Sequence, residues 1–471
     1  MSDLHFQTIS NLAPRIARKE ISPVELLDSV LHQIQAHNDD VNAYITILED
    51  ESREAAKKAE REIAQGKYRG PLHGIPMGLK DLFYTAGIRT TAGSAILKDF
   101  VPDTDATVVR KLKDAGVILT GKLNMHEYAF GATNENPHYG PSRNPWDTAR
   151  MTGGSSGGGG AAVAAGLSVA TLGTDTGGSI RTPSALCGIV GLKPTFGRVS
   201  KHGVVPLSWS LDHVGPMARS VADAAVLLQA IAGFDPQDAA SKNAAVDTYA
   251  PVASMDAKTL VVGVPGNYYF DGVDPQVEAN VRAAIAALAA QGARVVEVSI
   301  PELALAMFAE LVTISAEASA YHHDTFTKHA REYGADVRVL LEGGELLTAV
   351  QYLKAQQSRR LLQEAMLKVL SGVDVLVAPT LPFTAPPIGE GHVEISGQLK
   401  DFTMECVRFA APCNLTGFPS LSLPVGFSSA GLPIGMQIIG KPFDEVKLLQ
   451  VGALVEQVAP FEYKNPVLSK R

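Results

Sequence analysis

Hydrophobic positions near the start of the chain recur at helical spacing. Between residues 24 and 34 the apolar side chains share one helix face: Val24, Leu27, Val30, Leu31 and Ile34. A helix start signal lies at the beginning of this stretch. It consists of Ser22 as the N-cap hydroxyl, Pro23 in the first turn and Glu25 as the capping-box acid. Acids and bases then alternate at helical spacing over residues 51–65. The pattern therefore predicts helices over residues 1–66.

From residue 70 onward short apolar runs alternate with helical patterns. Residues 105–123 predict a helix that ends near Gly116 and a strand after it, and residues 275–300 repeat this order around Gly292. Polar residues 234–257 predict a surface connection. Other apolar runs predict strands at 74–79, 260–265, 373–380, 420–427 and 433–440. Strand–helix–strand units of this kind favour an α/β fold with a largely parallel sheet.

Two glycine-rich segments interrupt this alternation, GGSSGGGG at 153–160 and TDTGGSIRTPS at 174–184. We predict a helix over about 158–165 and a strand over about 167–173 between them. The helix carries the chain about 12 Å away and the strand returns it about 20 Å, so both segments can meet at one edge of the sheet. That edge, at the carboxyl ends of strands, is where α/β proteins build their sites.

Each glycine-rich segment contains a candidate catalytic serine, Ser155 or Ser179. Gly177 and Gly178 lack a Cβ, so their backbone can approach a ligand closely and direct consecutive N–H groups at a developing oxyanion. Ser155 also fits the G-x-S-x-G nucleophile elbow, but that elbow follows a strand directly and residues 144–152 lack a strand pattern. We therefore do not predict an elbow.

A catalytic serine requires a base, and the chain offers few candidates. The 12 histidines are scattered and form no H-E-x-x-H motif, so nothing indicates a metal site. Lys80 follows the apolar run at 74–79, where burial would favour a neutral amine. A lysine at a strand end is most often solvent-exposed, and only the serine segments make Lys80 a candidate base.

Composition and charge narrow the class of protein further. The 471 residues are 46% hydrophobic and 19% charged, which excludes a disordered chain and allows one large α/β unit or about three domains. A net charge of −8 gives no reason to expect a nucleic acid or an anionic membrane as partner. The 3 cysteines form no C-x-x-C pair and favour a reducing compartment. With no apolar leader and no apolar run of about 20 residues, we expect a cytoplasmic protein.

Taken together, these segments resemble the amidase signature family. The resemblance lies in blocks along nearly the whole chain: residues 74–94, 120–131, 136–147, 153–158, 174–184, 188–200, 414–427 and 431–440. It implies an α/β fold with a mixed central sheet covered by helices on both faces. It also implies one domain over 1–471: N-terminal helices at 1–66, a catalytic core at 70–232, and the remaining sheet and substrate pocket at 258–471.

The resemblance also implies a Ser–Ser–Lys triad. Ser179 matches the nucleophile, Ser155 the bridging serine that follows a cis bond to Gly154, and Lys80 the general base. The backbone N–H groups that match the oxyanion hole belong to Thr176, Gly177, Gly178 and Ser179. Asp175 and Arg181 are expected to brace the nucleophile segment by hydrogen bonds.

The remaining expectations concern the substrate. Ser156 is expected to support the bridging serine, and the pocket candidates are Met125, His126, Tyr128 and Ser156. No cofactor or metal is expected, and the partners are a small-molecule amide and a second copy of the chain, since family members are often dimers.

Two activities remain open within the family. One is a free-standing amidohydrolase; the other is the A subunit of the tRNA-dependent amidotransferase, which releases ammonia from glutamine. That subunit usually has Gln where this chain has Thr182, and it has a basic segment where this chain has residues 336–360. These differences favour the amidohydrolase. A non-catalytic family member would have a broken triad, whereas all three positions are filled here.

Overall fold

Helices and strands alternate along the chain in the computed structural model, which describes residues 3–459, 461, 462, 465, 466 and 468. The α-helices of the described residues are α1 Ile9–Ala17, α2 Pro23–Val41, α3 Glu49–Ala64, α4 Thr107–Asp114, α5 Gly157–Ala164, α6 Arg181–Cys187, α7 Val221–Ile231, α8 Pro275–Ala290, α9 Ala306–His329, α10 Ala335–Glu345, α11 Ala349–Leu370, α12 Phe402–Arg408, α13 Ala411–Thr416 and α14 Glu445–Val458.

The strands of the same residues fall into one large sheet, one small sheet and three two-stranded ribbons. They are β1 Tyr44–Ile47, β2 Pro76–Lys80, β3 Ile118–Leu123, β4 Glu135–Asn136, β5 Gly140–Pro141, β6 Arg143–Asn144, β7 Asp147–Met151, β8 Thr171–Asp175, β9 Val190–Lys193, β10 His213–Ala218, β11 Val261–Pro265, β12 Arg294–Val298, β13 Val375–Pro379, β14 His392–Ile395, β15 Gln398–Asp401, β16 Ser420–Phe427 and β17 Pro433–Ile439.

The N-terminal region is helical with one exception. Ser22 Oγ accepts the N–H groups of Val24 and Glu25 at 3.0 and 3.2 Å, which confirms the predicted start of α2. The prediction of helices throughout 1–66 is wrong at β1, which pairs antiparallel with β3. Four residues carry too little periodicity to identify a strand, and only the pairing with a distant segment determines its conformation.

The large sheet is mixed, in the order β12-β11-β13-β17-β16-β9-β10-β8 for the described residues. β11 is parallel to β12 and β13, while the remaining neighbours pair antiparallel. The expectation of a largely parallel sheet is therefore wrong, and the mixed sheet that the resemblance implies is confirmed. A short turn joins β16 to β17, and a connection that short permits only antiparallel pairing.

Helices cover both faces of the large sheet. On one face α6 approaches so closely that a Cβ on Gly435 of β17 would lie 2.5 Å from the Cβ of Ala185. On the other face Leu421 of β16 contacts α14, where a Cβ on Gly452 would lie 2.4 Å from Cδ2 of Leu421. Small residues at these points allow the helices to pack directly on the strands.

The small sheet, in the order β1-β3-β2, carries Lys80 at the end of β2. Every residue of β2 is buried, as the apolar run at 74–79 predicts.

Between the two serine segments the predicted helix is α5. The strand predicted over about 167–173 begins later, at Thr171, and forms β8. The intervening apolar residues are buried instead, with Ala170 bridging to Met77. One continuous cluster of buried apolar side chains extends from Leu4 to Val455.

Among the described residues, one stretch, Pro301–Glu332, is long and apolar enough by composition to span a membrane. From the sequence we expected no apolar run of about 20 residues. Half of its most apolar window is buried in the protein, and α9 packs against α10 and α11, as helices inside folded domains do. The three cysteines are buried and unpaired.

Candidate active site

Lys80 occupies a buried position at the end of β2. Its Nζ lies 2.8 Å from Ser155 Oγ and 2.8 Å from Thr174 Oγ1. Burial lowers the pKa of Lys80 to about 7, although the carboxylates of Asp212 and Asp175 act in the opposite direction. A substantial fraction of this amine is therefore neutral near pH 7 and able to accept a proton.

Ser155 lies in the turn that leads into α5, and the peptide bond between Gly154 and Ser155 is cis, as the resemblance implies. Its carbonyl accepts the backbone N–H of His126 at 3.1 Å. The segment before this turn contains a strand, β7, so the expectation that residues 144–152 contain none is wrong. Among the described residues β7 pairs with β6 in a two-stranded ribbon and bridges to Pro387 through Arg150. It is not a strand of the large sheet, from which a nucleophile elbow would project.

Ser179 lies in the turn between β8 and α6, and the residue is 8% exposed. The two serine segments meet here, because the N–H of Ser156 donates to the carbonyl of Ser179 at 3.3 Å. Ser156 Oγ donates to the carbonyl of Thr174 at 3.3 Å. The structure therefore brings Lys80, Ser155 and Ser179 into one site.

The Asp175 carboxylate stabilises the turn between β8 and α6 that contains Ser179, here called the nucleophile turn. It accepts the N–H groups of Gly178 at 2.9 Å and Ile180 at 3.2 Å, and Arg181 donates to both of its oxygens at 3.0 Å. Asn414 of α13 adds a further hydrogen bond at 2.8 Å. Burial by itself would raise the pKa of Asp175, but Arg181, Lys193 and the hydrogen bond from Asn414 together outweigh it and keep that pKa below its usual range.

The hydrogen bond from Gly178 changes the set of available oxyanion donors. Its N–H is directed at Asp175, so Gly178 does not offer that donor to a ligand in this structure. Gly178 instead has a conformational role: its φ is +118°, and a Cβ there would lie 2.7 Å from the Cβ of Ala410. Of the predicted donors, Thr176, Gly177 and Ser179 remain.

A cleft of about 660 Å³ opens beside Thr174 and Thr176. Its walls come largely from residues 201–214, with Phe196 and Trp209 as aromatic side chains and Ala239 from the surface connection. Thr174, which lines the cleft, accepts a hydrogen bond from Lys80 Nζ, but Lys80, Ser155 and Ser179 do not line the cleft themselves.

The predicted pocket residues around position 126 are packed inside the protein. Met125 is fully buried, and the ring of Tyr128 lies 4.4 Å from that of His322. His126 Nε2 lies 2.8 Å from the Asp336 carboxylate. Among the described residues that line the cleft, this segment contributes Ala129 instead.

Sequence analysis did not identify three residues of this site. Thr174 contacts the amine of Lys80, Asp212 accepts a hydrogen bond from Thr176 Oγ1 at 2.7 Å, and Asn414 bonds Asp175. Thr174 is the first residue of the glycine-rich segment at 174–184, so the sequence offered a signal for it. Asp212 and Asn414 lie outside any local motif and reach the site through the fold alone. Within the described residues, no group of three or more His, Cys, Asp or Glu side chains is placed to hold a metal.

Comparison with known proteins identifies the family. The amidase family model matches residues 25–449. The chain is 43% identical to an amidase of Pseudomonas putida, over 99% of each chain. It is also 42% identical to the A subunit of glutamyl-tRNA(Gln) amidotransferase from Geobacter sp. (strain M21), over 98% of this chain and 99% of that one.

A solved structure supports the same conclusion. A bacterial aryl acylamidase of the amidase signature enzymes superposes with a TM-score of 0.90 at 28% identity and covers 99% of each chain. The family match extends over most of the chain, and the fold agrees throughout. The chain therefore belongs to the amidase signature family of enzymes that hydrolyse carboxylic amides.

Proposed function

We propose that this chain is a free-standing amidohydrolase that cleaves the C–N bond of a small carboxylic amide through Ser179, Ser155 and Lys80. The observation that carries the proposal is the 2.8 Å contact between the Nζ of buried Lys80 and Ser155 Oγ. A buried amine with a pKa near 7 is suited to general-base catalysis at neutral pH.

The first half-reaction forms an acyl-enzyme. Neutral Lys80 accepts a proton from Ser155, which accepts the proton of Ser179 as Ser179 Oγ attacks the amide carbon. The proton then returns along the same relay to the leaving nitrogen. The C–N bond breaks, the amine or ammonia departs, and the acyl group remains as an ester of Ser179.

The second half-reaction uses the same groups. Water replaces the amine, donates its proton through Ser155 to Lys80, and attacks the ester carbon. Ser179 recovers a proton as the carboxylic acid leaves. In both tetrahedral intermediates the backbone N–H groups of Thr176, Gly177 and Ser179 stabilise the negative oxygen.

The A subunit of the tRNA-dependent amidotransferase is the second candidate function. The 42% identity to such a subunit favours it, and the proposed triad would serve glutamine hydrolysis equally well. Thr182 and the segment 336–360, which forms α10 and the start of α11, favour the free-standing enzyme.

We propose further that the chain forms a single domain, and the continuous core from Leu4 to Val455 supports this. The buried, unpaired cysteines support a reducing, cytoplasmic location. Assembly into a homodimer stays a prediction, which the mass of the purified protein in solution would test.

The experiment that tests the proposed function is hydrolysis by the purified chain alone of aliphatic amides, aryl amides and glutamine. We expect turnover of at least one amide other than glutamine. Ser179→Ala should lose about 10³-fold or more, because the attacking oxygen is gone. Ser184→Ala is the matched control, since its hydroxyl bonds only the carbonyl of Ile180 within the described residues. Glutamine hydrolysis that requires added partner subunits would instead establish the second candidate.

A further inference from the structure

A carboxyl group without hydrogen-bond partners lies beside the proposed nucleophile turn. Glu310 of α9 is 0% exposed, and neither of its carboxyl oxygens has a hydrogen-bond partner within the described residues. Leaving a buried polar group without a hydrogen bond is unfavourable, so such groups are uncommon in folded proteins and call for an explanation. The mechanism proposed above makes no use of it.

The immediate surroundings place this carboxyl against the turn. A Cβ built on Gly177 would lie 2.9 Å from Oε1 of Glu310 and 3.6 Å from Cγ1 of Val407. Gly177 is one of the three remaining oxyanion donors, so the carboxyl lies next to the position where the substrate carbonyl would bind. Any side chain larger than hydrogen at Gly177 would crowd the carboxyl.

No neighbouring charge neutralises Glu310. The positive charges of Arg359 and Arg181 act on Glu310, but neither forms an ion pair with it within 4.0 Å among the described residues. Arg359 donates to the hydroxyl and carbonyl of Ser210 at 2.9 and 2.8 Å, and Arg181 is occupied by Asp175. Burial raises the pKa of Glu310 well above its usual range, so the carboxyl is a neutral acid in the free enzyme.

The position of Glu310 relative to the proton relay indicates which part of a substrate it faces. Lys80 and Ser155 must reach the leaving nitrogen to protonate it. Lys80 Nζ contacts Ser155 and Thr174, whereas Glu310 approaches the turn at Gly177 and has no hydrogen bond to the relay within the described residues. Because the relay must serve the leaving nitrogen, we assign Glu310 to the acyl side of the substrate.

We propose that Glu310 is a specificity-determining residue that recognises an amino group carried by the acyl part of the substrate. This rests on the proposed amidase function and names its substrate class. An ammonium group supplies the missing donors and the missing positive charge together, and the carboxyl releases its proton to solvent as the ammonium binds. An alkyl acyl group leaves both oxygens unpaired.

The test uses matched pairs of p-nitroanilides, in which the aminoacyl member (glycyl, β-alanyl or 4-aminobutyryl) is compared with the alkyl acyl member of equal length. We expect the wild-type enzyme to prefer at least one aminoacyl member by about tenfold or more in kcat/KM. Glu310→Gln should abolish this preference and leave hydrolysis of the alkyl acyl members within about threefold. Glu342→Gln, at an exposed position of α10, is the matched control and should change neither.

A structural role for Glu310 predicts a different outcome. If the carboxyl only supports the turn, Glu310→Gln would slow both series equally, and Glu310→Met would lower the melting temperature. Under our proposal Glu310→Met keeps or raises the melting temperature, because it removes an unpaired buried polar group. Equal loss in both series, or absence of any aminoacyl preference in the wild type, would overturn the proposal.

The two proposals can fail separately. If the chain hydrolyses neither series, the amidase proposal fails for these substrates, and thermal protection by 4-aminobutanamide relative to butanamide still tests recognition. Greater protection by the amino compound, lost in Glu310→Gln, would support a binding role. Equal protection would contradict it.

Discussion

Three lysines of the described residues, Lys80, Lys122 and Lys193, are buried. Lys122 forms an ion pair with Asp81, whereas burial lowers the pKa of Lys80 and of Lys193 to about 7. Lys80 contacts Ser155, whereas Lys193 Nζ donates to the carbonyl of Pro194 at 3.1 Å. Within the described residues Lys193 contacts no serine hydroxyl. A lowered pKa therefore makes both Lys80 and Lys193 candidate bases. Only Lys80 contacts the hydroxyl of a candidate catalytic serine.

This difference leads to a prediction for pH dependence. We expect kcat/KM to fall about tenfold per pH unit below the Lys80 pKa of about 7, because the protonated amine cannot accept a proton. Above that pH the rate should level off. Rates measured from about pH 5 to about pH 9 would show this limb.

Lys193 provides the control for this prediction. Lys193→Met should keep the midpoint of the acid limb, since Lys193 does not contact the relay. Loss of the limb in this variant would mean that Lys193 is the group that titrates. Lys80→Ala should lose at least about 10²-fold at every pH.

At the scale of elements, helix α5 shows how closely the site is packed. Its first four residues are glycines, and a Cβ on Gly158 would lie 2.4 Å from the carbonyl oxygen of Asn124 and 2.6 Å from that of Ala43. Backbone atoms cannot move aside as a flexible side chain can. The glycines that weaken α5 as a helix therefore allow it to pack against the segments that carry the catalytic candidates.

The same helix provides a matched pair of variants. Gly158→Ala should destabilise the protein by about 1–3 kcal/mol, because the new methyl group overlaps backbone oxygens. Gly159→Ala should change stability by less than about 1 kcal/mol, because its nearest neighbour is a methyl of Thr171 at 3.1 Å and alanine favours the helix. Melting temperatures of the two variants test this, and equal shifts would contradict it.

Elements with long periodic patterns could be predicted from the sequence, and short ones could not. α8 followed by β12, and α4 followed by β3, form where the pattern and a following glycine predict them. β1 and β7 were missed because each is short and depends on a partner strand. The direction of pairing was also wrong for most of the large sheet, since local pattern does not encode which strands become neighbours.

At the scale of the whole molecule, the core joins all three predicted regions. The apolar cluster includes side chains from the N-terminal helices, the catalytic core and the remaining sheet, from Leu4 to Val455. A shared core couples the unfolding of its parts. The candidate active site combines Lys80, at the end of β2 in the small sheet, with Ser179, in the turn after β8 of the large sheet.

We therefore expect one cooperative unfolding transition. Differential scanning calorimetry of the purified chain should show a single heat-absorption peak, and the loss of amidase activity should follow it. Activity lost in a transition well separated from the main peak would contradict a single domain. A variant that destabilises α5, such as Gly158→Ala, should shift the whole peak.

The sequence by itself determined the family, the helices with strong periodicity and the candidate residues Lys80, Ser155 and Ser179, because these reside in local patterns and motifs. It also indicated the bracing pair Asp175 and Arg181, which are close along the chain.

Only the tertiary structure decided that Gly178 directs its N–H at Asp175, that Asn414 completes this brace, and that residues around position 126 pack inward. It also placed Glu310, with no hydrogen-bond partner among the described residues, against Gly177. The physical reason is the same in each case. Each of these contacts joins residues that are far apart in the sequence or depends on the backbone conformation of the fold. The sequence near one residue does not specify which distant residue will lie beside it.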